Sequence, residues 1–129
     1  MAKPRKREAS KAKTDGNLKE AIVLLPLTYN DGTDVPQETI DSICDEIFGT
    51  FHGWTLEGNV KGAYQMQAGG QKRVENLLKV SIVLEMSRVS KLEEMVGRWC
   101  TRLGQEVMLL KVADSIVKFI PPQPETEEP

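Results

Sequence analysis

Residues 54–86 read WTLEGNVKGAYQMQAGGQKRVENLLKVSIVLEM, and the pattern of this stretch decides the fold. Its dominant period is two, the spacing of side chains that alternate between the faces of a strand. Trp54, Leu56, Val60, Tyr64 and Met66 share one face of the first arm, with Glu57, Asn59, Lys61 and Gln65 on the other. Gly69 and Gly70 supply a hairpin tip, and Leu78, Val80, Ile82, Leu84 and Met86 line one face of the second arm. An antiparallel hairpin with one apolar face needs a cover from elsewhere in the chain.

Two helical stretches flank the hairpin and supply that cover. Upstream, Ile40, Ile43, Cys44, Ile47, Phe48 and Phe51 recur at spacings of three and four, one apolar stripe opposite Asp41, Asp45 and Glu46. Pro36 suits the first turn, where its missing N–H costs nothing, and Gly49 or Gly53 is placed to end the helix. Downstream, Ser90 and Glu93 have the spacing of a capping box. Leu92, Met95, Val96, Trp99, Cys100 and Leu103 form the second stripe, and Gly104 follows it as a C-terminal cap.

Outer strands complete the pattern. Residues 21–25 (AIVLL) read as a strand buried on both faces, with Pro26 marking a bulge or strand end and residues 29–32 (YNDG) a turn. A closing strand is expected over 106–112, with 116–120 continuing it after a break at Asp114. The order is β-α-β-β-α-β, which predicts an α+β, ferredoxin-like domain: a four-stranded antiparallel sheet with two helices on one face. The opposite face is left open, with Ala63, Leu77 and Val83 among polar residues on it.

The chain has 129 residues, 40% of them hydrophobic and 28% charged, enough for one core without disulfide staples. Residues 19–120 are the expected domain. Residues 1–18 read as a disordered basic tail and 121–129 as a disordered acidic Pro/Glu tail, because neither can bury enough apolar surface to offset its ordering entropy. The formal charge of −2 conceals this asymmetry. Lys3, Arg5, Lys6, Arg7, Lys11, Lys13 and Lys19 crowd one end, while Glu125, Glu127 and Glu128 lie at the other. The basic end is followed by no apolar run of a secretory signal, and no stretch is long enough to span a bilayer. Cys44 and Cys100, the only cysteines, make no disulfide framework or zinc set and fit a reducing compartment, so the expected location is cytoplasmic.

Candidate functional residues are few. Lys3, Arg5, Lys6, Arg7, Lys11 and Lys13 form an arm suited to phosphates or an acidic partner, and Lys72 and Arg73 add two cations at the hairpin tip. The tip lacks the spacing of a phosphate-binding loop. Residues 61–64 (KGAY) faintly echo an RNA-recognition motif, but residues 74–86 hold no aromatic to stack a base. Cys44 and Cys100 sit on apolar stripes and read as core residues. His52 is the only histidine and has no spaced ligand partners, so neither a metal site nor a cofactor is expected. Asp31, Asp34, Asp41, Asp45 and Glu46 read as a solvated acidic surface.

Leu25 through Asp31-Gly32-Thr33, the run 80–86, and Leu103-Gly104-Gln105-Glu106-Val107 resemble a family of small bacterial proteins of unknown function. The resemblance implies the same α+β fold and supplies no catalytic residues. The first functional expectation is therefore a non-enzymatic binding or regulatory module. It would pair with a second copy or another protein through the open sheet face and reach nucleic acid through the basic arm. The alternative is a small enzyme of the dimeric α+β-barrel type, with an organic substrate in the sheet–helix cleft and His52, Tyr29 or Tyr64 handling protons. A flat apolar sheet face would favour the module, and a deep pocket holding a titratable group the enzyme.

Overall fold

The structure is a computed structural model that describes residues 17–65 and 69–113, together with 118, 122 and 124. Its elements are β1 (Leu18–Pro26), α1 (Gln37–Phe51), β2 (Thr55–Gln65), β3 (Lys72–Glu85), a 3-10 turn (Met86–Arg88), α2 (Val89–Arg102) and β4 (Leu110–Ala113). The strands form one sheet in the order β2-β3-β1-β4, with every neighbouring pair antiparallel. The class is α+β, four antiparallel strands and two helices.

One core joins the helices to the sheet. Ala21, Val23 and Leu25 of β1 and Leu78, Val80, Ile82 and Leu84 of β3 alternate onto the same face. They meet Ile40, Ile43, Ile47 and Phe51 of α1 and Leu92, Met95, Val96 and Trp99 of α2. Helices of 15 and 14 residues are marginal by themselves. Burial at about 1.5–3 kcal/mol per large side chain is what fixes their placement. No helix among the described residues is long and apolar enough to cross a membrane.

Several details differ from the sequence expectation, each for a local reason. Phe48 is 57% exposed, because it stands about 80° round the helix from Ile40, at the edge of the stripe. Gly49 lies inside α1, and neither glycine ends it. His52 takes the left-handed conformation (φ 69°) and donates its N–H to the Phe48 carbonyl. The capping box does not form either. The 3-10 turn places Arg88 at the N-cap of α2, so Ser90 is already inside the first turn and no side chain caps the end. Gly104 acts as expected. At φ 64° it donates to Thr101 O while Gln105 donates to Cys100 O, the paired bonds of a Schellman motif. β4 starts only at Leu110, four residues later than expected, and most of the run 116–120 falls outside the described residues.

The largest departure is in β2. Leu56 pairs with Val80, but Asn59 pairs with Leu78, so three steps on β2 match two on β3. That extra residue is a β-bulge, and Gly58 at φ 102° supplies a conformation that other residues adopt only at a cost. A one-residue slip exchanges the faces of everything beyond it. Leu56 stays on the helix side opposite Val80, whereas Val60, Gly62 and Tyr64 pair with Leu77, Glu75 and Arg73 on the open side. Tyr64 therefore leaves the face on which simple alternation puts it, and Ala63 moves to the helix side opposite Val74.

Candidate functional site

The open face of the sheet is not flat. A cleft of about 270 Å³ opens on it, lined by Leu24 and Pro26 of β1, Glu75 and Leu77 of β3, Tyr64 of β2, and Gln105, Val107, Met108 and Leu109. This is just under the lower end of small-molecule pockets, about 300 Å³. The wall formed by 105–109 is the stretch expected to be strand. The Schellman turn at Gly104 redirects the chain, and Leu24 N–H donates to Leu109 O at 3.4 Å to tie that wall to β1. Met108 packs against the core, while Val107 and Leu109 remain exposed.

The floor and walls are aliphatic, with three polar side chains set into them: Tyr64, Glu75 and Gln105. Tyr64 folds back across its own strand, so that a Cβ built on Gly62 would lie 2.5 Å from the tyrosine Oη. Glycine at 62 is thus the seat of the tyrosine ring. Glu75 is unusual on this face. Elsewhere on it Ser81 donates to Glu20 at 2.7 Å and Lys79 meets Glu57 at 3.2 Å. The Glu75 carboxylate has no hydrogen-bond or ion-pair partner among the described residues.

A polar cluster closes one end of the cleft. Gln105 Nε2 donates to Leu103 O at 3.1 Å and to Asn30 Oδ1 at 3.4 Å. Arg73 Nη1 donates to the same Asn30 oxygen at 2.6 Å, and Asn30 Nδ2 donates to Gly104 O at 3.0 Å. The turn expected at 29–32 presents Asn30: Gly32 N–H donates to Tyr29 O, and Asp31 Oδ1 accepts from both the N–H and the hydroxyl of Thr33. Those two bonds hold the Asp31 carboxyl below the usual range, the hydroxyl bond being the larger cause.

Of the tyrosines and the histidine considered for proton handling, Tyr64 alone lines the cleft. Tyr29 packs against the core. His52 caps α1 at the other end of the sheet, beside Phe51, where Arg88 lies 5.0 Å over the Phe51 ring and donates to Thr50 O. Lys72 is exposed at the start of β3, and Arg73 flanks the cleft. Lys3, Arg5, Lys6, Arg7, Lys11 and Lys13 lie outside the described residues. Cys44 is buried and its thiol is pushed up, first by burial and then by Asp41 and Asp45. Cys100 is half-buried, with Sγ 3.2 Å from Gln105 O. Among the described residues no group of His, Cys, Asp and Glu is arranged to hold a metal ion.

One member of the acidic set is not a solvated surface group. Glu46 accepts from Trp99 Nε1 at 2.9 Å and from Arg102 Nη1 at 2.7 Å. Burial pushes its carboxyl up, but those bonds and the charge of Arg102 outweigh it and hold the group below its ordinary value.

No family model matches the chain, and no curated protein matches it. Among solved structures it is similar to a phage SAM lyase in complex with S-methyl-5′-thioadenosine. The TM-score is 0.61 and the identity 17%, over 80% of this chain and 85% of that one. The likeness is one of fold.

Sequence reading missed Glu75, Gln105 and Asn30. Glu75 was findable: it heads the series Glu75, Leu77, Lys79, Ser81, Val83 on the open face of the second arm. What hid its role was the bulge, which brings Tyr64 round beside it.

Proposed function

We propose that this chain is a small enzyme that takes an adenosyl sulfonium, SAM or a close relative, into the cleft on the open sheet face. The observation that carries the reading is Glu75, a carboxylate without a protein partner among the described residues, standing beside Tyr64 in an apolar cleft. A pocket with convergent polar groups and a titratable side chain is the signature of a small-molecule site, whereas a flat face would favour a binding module. The fold likeness to a SAM lyase supports the same choice of ligand class. The β-α-β-β-α-β order with β1 between β3 and β4 also supports the ferredoxin-like description of the fold.

The chemistry fits the lining. A sulfonium is a cation with an aromatic base at one end. Glu75 draws in the positive charge, and the aliphatic walls and the Tyr64 ring receive the nucleoside. When Glu75 takes a proton from the carbon beside the one bonded to sulfur, that C–H pair becomes a carbon–carbon double bond, the C–S pair stays on sulfur, and neutral S-methyl-5′-thioadenosine leaves beside an unsaturated amino acid. Positive charge on sulfur disappears along that path, so the aliphatic walls suit the neutral product while Glu75 serves capture of the cation. Glu75 and the Tyr64 hydroxyl are the groups within the cleft able to take or give a proton.

The test is to incubate the full chain with SAM and follow S-methyl-5′-thioadenosine by reverse-phase chromatography, with calorimetric titration of both compounds in parallel. Turnover or binding that Glu75→Gln removes supports the proposal. Absence of both binding and turnover in the wild-type chain sinks it.

A further inference from the structure

We infer that Arg73, held by Asn30, is an anion subsite at the end of the cleft and takes the carboxylate of the substrate's amino-acid head. This rests on the reading of the cleft as a SAM-type site and specifies which protein group meets that end of the ligand. The placement comes from register and hydrogen bonding together. Arg73 pairs directly with Tyr64 across the sheet and stands two residues from Glu75 on the same strand face, so both of its neighbours line the cleft. Same-face residues two apart on a strand are separated by about 6.8 Å. A negative and a positive side chain thus stand at the spacing needed to receive the two ends of a zwitterion.

The cluster holds the guanidinium without neutralising it. Asn30 Oδ1 accepts from Arg73 and from Gln105, and its Nδ2 donates to Gly104 O; exchanging the amide atoms would set donor against donor at Arg73 and Gln105 and acceptor against acceptor at Gly104. Asn30 is uncharged, and it uses one of the five guanidinium N–H groups. Among the described residues Arg73 makes no ion pair. Gln105, which shares the Asn30 oxygen, is itself part of the cleft wall, so the cation is joined to the site through a single acceptor atom. A carboxylate entering beside Gln105 gains the planar, two-pronged partner that guanidinium favours.

The experiment compares two ligands that differ in this one feature. SAM carries the amino-acid head and S-methyl-5′-thioadenosine lacks it. Affinities of both for the full chain are measured by calorimetric titration in wild type, Arg73→Gln and Asn30→Ala. The expected result is a loss of about tenfold or more in SAM affinity for Arg73→Gln, the scale of a charged hydrogen bond. Affinity for S-methyl-5′-thioadenosine should stay within about twofold, which also reports that the variant is folded. Asn30→Ala should show the same selectivity with a smaller loss, since it loosens the arginine without removing it. Parallel loss of both ligands, or no loss of either, overturns the subsite while leaving the cleft reading intact. Adenosine monophosphate is a third arm. If it gains over S-methyl-5′-thioadenosine only when Arg73 is present and SAM does not, the anion is a phosphate and the carboxylate assignment falls. Failure of wild type to bind any adenosyl ligand removes the subsite and the cleft reading together.

Discussion

The two faces of the sheet handle charge in opposite ways. On the helix-covered side, Glu46 is drawn into the packing by Trp99 and Arg102, and both of its oxygens are occupied. On the open side, Glu75 sits in an apolar cleft with no partner among the described residues, and Arg73 nearby is restrained by a neutral amide. Partnered charges on the first face hold two helices in register. Arg73 and Glu75, half-buried on the second face, join no elements of the fold through an ion pair among the described residues, which leaves them available to a ligand. The comparison teaches where stability and function are divided in this small domain, and it predicts that substitutions on the two faces separate into distinct classes.

The sharpest break should come on the helix face. Trp99 is fully buried, and its Nε1 satisfies Glu46. Trp99→Ala removes the ring and leaves that carboxylate short of a donor, so a loss of about 3–5 kcal/mol is expected in urea unfolding. On the open face, Glu75→Gln and Tyr64→Phe should change unfolding free energy by no more than about 0.5 kcal/mol. The same two variants should lower turnover of the cleft's substrate on the order of 100-fold. Destabilisation by Glu75→Gln comparable to that of Trp99→Ala would erase the distinction between the faces.

Much of the framework was readable because it depends on spacing within one segment. The stripes of Ile40, Ile43 and Ile47 and of Leu92, Met95 and Trp99, and the alternation of Leu78, Val80, Ile82 and Leu84, are local patterns that the sheet and helices reproduce. The cleft was not readable, because it depends on register. Gly58 adds one residue to β2 without disturbing the even-numbered apolar series, so Leu56 and Tyr64 look like neighbours on one face until their partners on β3 are known. The run Val107-Met108-Leu109 has the composition of a strand, but the Schellman turn at Gly104 aims it along the edge of β1 as a cleft wall. The Trp99–Glu46 bond spans 53 positions and joins two helices, and no feature of either helix alone announces it.

A subtler substitution tests whether Tyr64 owes its position to Gly62. A methyl group at 62 would collide with the end of the tyrosine side chain, not with backbone, and the backbone at 62 is not in a glycine-only conformation. Gly62→Ala should therefore leave thermal stability unchanged or slightly raised, since alanine is about 0.5–1 kcal/mol less unfavourable than glycine inside regular structure. Activity should fall to the level of Tyr64→Phe. Retained activity would show that the ring is held by something other than the open seat at Gly62.

The smallest effect, and the one that returns to the contrast between the carboxylates, is in the pH dependence of stability. Glu46 titrates lower in the folded protein than in the unfolded chain, because Trp99 and Arg102 favour its charged form more than burial disfavours it. The unfolded chain therefore binds the proton more readily, and stability rises with pH through this window. The contribution is fully present above the unfolded glutamate value of about 4.3 and is lost as pH falls through the lower folded value. Its size is modest, because both partners remain partly open to solvent, with side-chain exposures of 31% for Glu46 and 39% for Arg102. Urea midpoints measured between neutral and strongly acidic pH should fall less steeply in Glu46→Gln than in wild type. If Glu46→Gln loses stability as steeply as wild type, the assignment of a paired, structural carboxylate to the helix face fails.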